Sequence, residues 1–129
     1  MMMTHIRNPN SGIYRATDDY IHAMEVELPS RFLFVSGTMG LREDGTPGRN
    51  LAEQLDLIWG NIRRILAEAG MGMEHIIRVT SYLRDADFVQ QNQDARVAAL
   101  DGRAVPVTTI VAQTLSAEWL VEIEVIAAA

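Results

Sequence analysis

Leu51, Leu55, Ile58, Ile62, Ile65, Leu66 and Ala69 recur at spacings of three and four, a stripe that places them on one face of an α-helix. Asn50 stands at the N-cap position, Glu53 where a capping-box carboxylate reaches back, and Gly70 where a helix stops in the left-handed conformation. A helix of this kind must lie on an apolar surface, and the rest of the chain supplies strands. YIHAMEVE and RFLFVSG, separated by Leu28-Pro29-Ser30, read as the two strands of a hairpin. LREDGTPGR is dense in Gly, Pro and Asp and reads as loop. HIIRVTSYL reads as a strand, followed by Asp85 or Asp87 capping a second helix that runs to about Leu100 on a thin stripe of Phe88, Ala95 and Ala99. Two strands over 107–115 and 119–127, with a turn at Ser116-Ala117, complete the chain. Residues 1–19 are polar and read as a loosely held arm.

The order β-β-α-β-α-β-β predicts a single α+β domain over residues 1–129, with one sheet and two helices. Two helices cover only one face of a sheet. Yet RFLFVSG carries Phe32 and Phe34 on one alternation and Leu33 and Val35 on the other, so both faces are apolar. A second apolar face needs a partner, and the pattern predicts a homo-oligomer.

Composition closes several chemical routes. The 129 residues contain no cysteine, and all 11 basic residues are arginine. Thiolate nucleophiles, disulfides, Cys-ligated metals, lysine Schiff bases and a P-loop lysine are therefore excluded. A net charge of −6, with arginines scattered along the chain, argues against a nucleic-acid partner. No apolar run is long enough to span a bilayer, and MMMTHIRNPN has no apolar h-region, so a cytoplasmic protein without a membrane partner is expected.

His5, His22 and His75 show no metal-ligand spacing, and no metal is expected. Ser36 in VSGT lacks the flanks of a nucleophile elbow, and Gly37 reads instead as a close approach of backbone to another group. In LVEIEVIA, Val121, Ile123 and Val125 share one face, while Glu122 and Glu124 share the other with Leu120 and Ile126. Two solvated glutamates on an edge strand are the structural alternative. If that face is an oligomer interface, a glutamate there is desolvated and suited to activating a water. Asn92 lies with Phe88, Ala95 and Ala99 on the second helix, where an asparagine also serves to bond buried backbone. Trp59 and Trp119 read as packing residues.

FLFVSGTMGLREDG, NIRRILAEAG, IIRVTSYLRDADF with its following Asn92, and LVEIEVIA resemble, in order and spacing, the signature blocks of the RidA family, also called YjgF or L-PSP endoribonuclease. The resemblance covers residues 20–127. It implies a chorismate-mutase-like α+β fold with one mixed sheet and two helices on one face. It further implies a homotrimer with small-molecule sites in the clefts between subunits, no cofactor, and hydrolase activity as an enamine and imine deaminase. Position by position, the ring of Tyr20 would line the pocket, the Gly37 backbone would bond substrate, Asn92 would support the cleft, and Glu122 would hold the attacking water.

One part of the pattern is missing. Imine deaminases of this family carry, in a Pro-Ala-Arg run, an arginine that pairs with the substrate carboxylate; here Val107 occupies that slot, or Thr108 if the prolines are aligned. Burying a carboxylate without that partner costs on the order of 3 kcal/mol, over a hundredfold in affinity. Thr38 also replaces the family's glutamine, and Thr109 follows Val107 on the same side of the strand. The expected function is therefore deamination with altered substrate choice, with Arg15, Arg31 or Arg103 as candidates to replace the lost arginine. The alternative is a non-catalytic trimer that binds a small metabolite. Ribonuclease activity, suggested by one family name, is disfavoured by the acidic charge.

Overall fold

A computed structural model describes all 129 residues. Six strands and two helices follow in the order β1 (Met3–Ile6), β2 (Met24–Glu27), β3 (Phe32–Met39), α1 (Leu51–Glu68), β4 (Ile76–Leu83), α2 (Val89–Ala99), β5 (Val107–Val111) and β6 (Val121–Ala128). From β2 onward this is the predicted β-β-α-β-α-β-β order. The main sheet has the strand order β3-β6-β4-β5 and is mixed, because β4 and β5 run parallel across the α2 crossover while the other pairs are antiparallel.

Helix α1 forms as its stripe requires. The Asn50 side chain accepts the Glu53 amide at 2.9 Å, and Gly70 takes a φ of 68° just past the end. The Glu53 carboxylate does not complete a capping box; it pairs with Arg49 and Arg42, the stronger cationic donors at hand. Leu55, Ile58, Ile62 and Leu66 pack on Val35, Val79, Ile123, Val125 and Ala127, and Leu100 and Val105 join the same core. Val121, Ile123 and Val125 thus face the helices, and Glu122 and Glu124 lie on the open face.

The predicted hairpin is not formed. β2 pairs instead with β1, in the register His5↔Glu25 and Ile6↔Met24, as a separate two-stranded ribbon. Side chains link the two strands: His5 hydrogen-bonds Glu27 at 2.9 Å, and Arg7 Nε donates to Glu25 at 3.1 Å. At the turn, Leu28 has a φ of 52° and Pro29 brings no N–H, so the ladder stops. Ser30 and Arg31 then bond the Ala129 carbonyl, which delivers β3 to β6. The segment 1–19, expected as a loose arm, accordingly supplies a strand. β5 is also shorter than the predicted 107–115, ending at Val111.

With both helices on one side, the other face of the sheet is uncovered in the single chain. Phe34 is 74% exposed there, and Phe32 and Ile110 are also exposed. No helix is long and apolar enough to cross a membrane.

Candidate functional site

The site residues expected from the sequence fall into two groups. Gly37, Thr38 and Glu122 meet where β3 crosses β6. Between Val35 and Thr38 the register against β6 slips by one residue, a β-bulge at Ser36-Gly37. The bulge brings the Gly37 backbone against the Glu122 side chain so closely that a Cβ on Gly37 would lie 2.2 Å from Glu122 Oε2. The close approach inferred for Gly37 is therefore to a carboxylate. Thr38 Oγ1 turns back to the Ser36 carbonyl at 3.0 Å. Gly37 and Thr38 also line a groove of about 960 Å³ between β3 and α1, together with Phe34, Asn61 and Arg64.

The two glutamates of β6 have different surroundings. The Tyr82 hydroxyl donates to Glu124 at 2.5 Å. That bond, then burial, then the charges of Glu124 and Glu122 raise the Tyr82 phenol above its usual range. Glu122, half-buried beside Gly37, makes no side-chain hydrogen bond within the chain, so its oxygens are available to accept from a water or ligand.

The second group surrounds a cleft of about 310 Å³ between α2 and β5, which holds Tyr20, Asn92, Val107 and Thr109. Tyr20 is placed there because its neighbour Ile21 bridges to Pro106 and donates to the Val105 carbonyl. The Tyr20 ring also stands edge-on to His22, with centroids 5.9 Å apart. Asn92 is 1% exposed, and its Oδ1 has no hydrogen-bond partner. Asn92 is therefore not the backbone-bonding asparagine that its helix position also allowed. The Gly37–Thr38 groove and the Tyr20–Asn92 cleft are separate cavities with no lining residue in common.

The candidate replacement arginines lie elsewhere. Arg31 bonds the Ala69 carbonyl, Arg103 bonds the Met73 and Ile76 carbonyls, and Arg15 is exposed. Burial lowers the Arg103 guanidinium from its usual value, partly offset by Glu74. The arginine that does line the α2–β5 cleft is Arg96, paired to Asp19. Neither residue belongs to a motif; the four-residue spacing from Asn92 to Arg96 is the one sequence signal for it. His5, Glu25 and Glu27 converge on the ribbon with ligand atoms within 4.8 Å, but Arg7 already engages Glu25.

A mixed sheet with two helices on one face and a glycine bulge pressed on a glutamate of the other defines an α+β protein of the predicted class. The chain belongs to the L-PSP endoribonuclease, or RidA/YjgF, family: the family model described as Endoribonuclease L-PSP matches residues 13–129. A RutC family protein of Aquifex aeolicus (strain VF5) is 32% identical over 128 residues, covering 97% of this chain and 98% of that one. The RutC family protein YjgH of Escherichia coli (strain K12) is 46% identical over 55 residues, 43% of this chain and 42% of its own. Among solved structures, the Rid family protein YyfB of Yersinia pestis, of unknown function, superposes with a TM-score of 0.85 at 23% identity, covering 98% of each chain. That likeness is one of fold.

Proposed function

We propose that this chain is a hydrolytic deaminase of reactive enamine and imine metabolites. In this reading it works as a homotrimer whose sites lie between subunits, and Val107 in place of the carboxylate-binding arginine alters its substrate choice. The observation that carries the reading is the Glu122 carboxylate, free of internal hydrogen bonds and set against the Gly37 bulge on an uncovered apolar face. A neighbour seated on that face would desolvate Glu122 and could bring the Tyr20–Asn92–Val107–Thr109 cleft of one chain towards the Gly37–Glu122 group of the next.

An iminium carbon is already electrophilic, so the protein need only orient it and a water. Glu122 accepts a proton from that water as the oxygen adds to the C=N carbon. Glu122 passes that proton to the nitrogen, and as the C–N bond breaks and ammonia leaves, the freed carboxylate takes the remaining hydroxyl proton, so that the C=O of the product forms. Gly37 would offer backbone polar groups to the substrate, and Tyr20 would wall the pocket. No cofactor or metal takes part in this scheme.

The test is keto-acid formation from 2-aminoacrylate, or from a 2-imino acid made by an amino-acid oxidase, with and without the protein. If substrate choice has moved away from carboxylates, wild type accelerates these poorly while Val107→Arg gains turnover. Glu122→Gln is expected to abolish turnover of any accepted imine and leave the sedimentation coefficient unchanged. A stable monomer by sedimentation would sink the site model. Val107 also favours a second reading, a non-catalytic trimer that binds a small metabolite. Failure to hydrolyse both charged and neutral imines, with ligand binding retained, would select it.

A further inference from the structure

The groove between β3 and α1 is unfilled in the single chain, and an apolar side chain stands in solvent at the same end of the sheet. Leu115 is 95% exposed on the loop that joins β5 to β6. That loop is tied down on both sides of it. Arg84 donates to the Thr114 carbonyl at 2.9 Å and to its hydroxyl at 3.0 Å, and the Thr114 hydroxyl donates to the Trp119 carbonyl at 2.6 Å. The groove, about 960 Å³ with Leu41, Leu57 and Ile65 among its walls, is at the upper end of the range for small-molecule sites and larger than a metabolite of a few atoms fills. Met39, Glu122, Tyr82 and Ile110 pair in one row across the sheet, from the edge strand β3 to the edge strand β5, roughly 14 Å away. Leu41 follows that row at one edge and Leu115 at the other, so the groove mouth and the loop are level. A head-to-tail contact between such opposite edges closes into a ring of copies. The charges agree as well. The groove carries Arg42, Arg64 and Glu43; Arg42 is paired with Glu53, whereas Arg64 has no acidic partner, and the loop's single charge is the exposed, unpaired Glu118.

We propose that the 112–120 loop of one copy docks in the β3–α1 groove of the next, with Leu115 against Leu41 and Leu57 and Glu118 towards Arg64, and so walls the Gly37–Thr38 side of the site. The occupant is a second copy of this chain, because knob and groove lie level on opposite edges of the same sheet. The loop then supplies the side of the site that a single chain leaves open. The proposal rests on the reading above in which β5 of one copy approaches Gly37 and Glu122 of the next, and it names the contact that seats the two copies.

The chain has no cysteine of its own, so an introduced pair reports one contact without background. The full chain carrying Leu115→Cys and Leu57→Cys is treated with a short bis-maleimide and separated under denaturing conditions. Covalent dimers and trimers and nothing larger are expected, while neither single variant cross-links. Leu115→Asp, at a position too exposed to disturb the single chain, is expected to weaken assembly about tenfold or more in sedimentation. That variant decides the matter even if Leu57→Cys does not fold. Cross-linking confined to single chains, a ladder that runs past trimers, or a folded trimer that fails to cross-link or is indifferent to Leu115→Asp overturns the proposal. A wild-type monomer overturns it together with the assembly it rests on. Imine turnover is scored separately: cross-linked trimers that hydrolyse no imine overturn the deaminase reading and leave the docking standing, whereas turnover by a trimer that does not cross-link does the reverse.

Discussion

Two glycines separate positions that shape chemistry from positions that shape the fold. A methyl on Gly37 would meet the carboxylate end of Glu122, a flexible group beside open space that can swing away. Gly37→Ala is therefore expected to change stability by less than about 1 kcal/mol in urea titration. If Glu122 holds the attacking water as proposed, the same change should cut imine turnover by about tenfold or more, because the displaced carboxylate would no longer position that water. A methyl on Gly40 would instead meet the Cβ, Cα and carbonyl oxygen of Gln54 at 2.5–2.6 Å, atoms that cannot move without shifting α1. Gly40→Ala should cost about 3 kcal/mol. At Asp19 the pH dependence has a definite sign. Its folded-state pKa lies below the ordinary 3.8, so the ion pair contributes fully above pH 3.8 and loses its contribution as pH falls below that value. Asp19→Ala, which leaves a buried guanidinium unpaired, should be about 3 kcal/mol less stable at pH 7, with the gap to wild type narrowing at pH 3. The sequence made the close approach at Gly37 legible through the VSGT context. It did not reveal that Glu122 is what Gly37 approaches, because that contact depends on a bulge created only when β3 and β6 pair.

Among the elements, α1 was the most legible, since its stripe, cap and stop all act within a few residues of one another. The hairpin failed because strand partners are chosen at long range. The local pattern of β2 is satisfied equally by any neighbour, and a hydrogen bond from Glu27 to His5 and an ion pair from Glu25 to Arg7 accompany its pairing with β1. The short β5 follows the same logic, since β4 offers Leu83 as its last partner, opposite Val111. Elements are also joined by contacts that no periodicity reveals. Gln54, buried on α1, donates to the Gly48 and Glu118 carbonyls at 3.0 and 2.9 Å and accepts the Leu120 amide at 3.0 Å. One side chain thus ties the loop before α1 to the entry of β6, the strand that carries Glu122. Gln54→Leu strands three backbone groups and should cost about 3 kcal/mol, with the Leu120 amide losing protection in hydrogen exchange.

For the molecule as a whole, the two-sided apolar strands are the feature from which assembly is expected; the single chain leaves Phe34 exposed on the uncovered face, and sedimentation tests what covers it. The composition of the site was less legible, because its residues fall into two groups on one chain and the sequence does not show how a neighbour would join them. If the open face is the trimer interface, Phe34→Glu should leave the secondary structure intact by circular dichroism while sedimentation shows monomers. The uncovered face has a consequence for handling the protein as well. If this chain hides that surface against its own copies as proposed, it gains stability by mass action, and its melting temperature then climbs as the sample is concentrated and falls as it is diluted. Dilution would then erode fold and site together, and a fall in the proposed imine turnover per unit of protein would be the first sign of it.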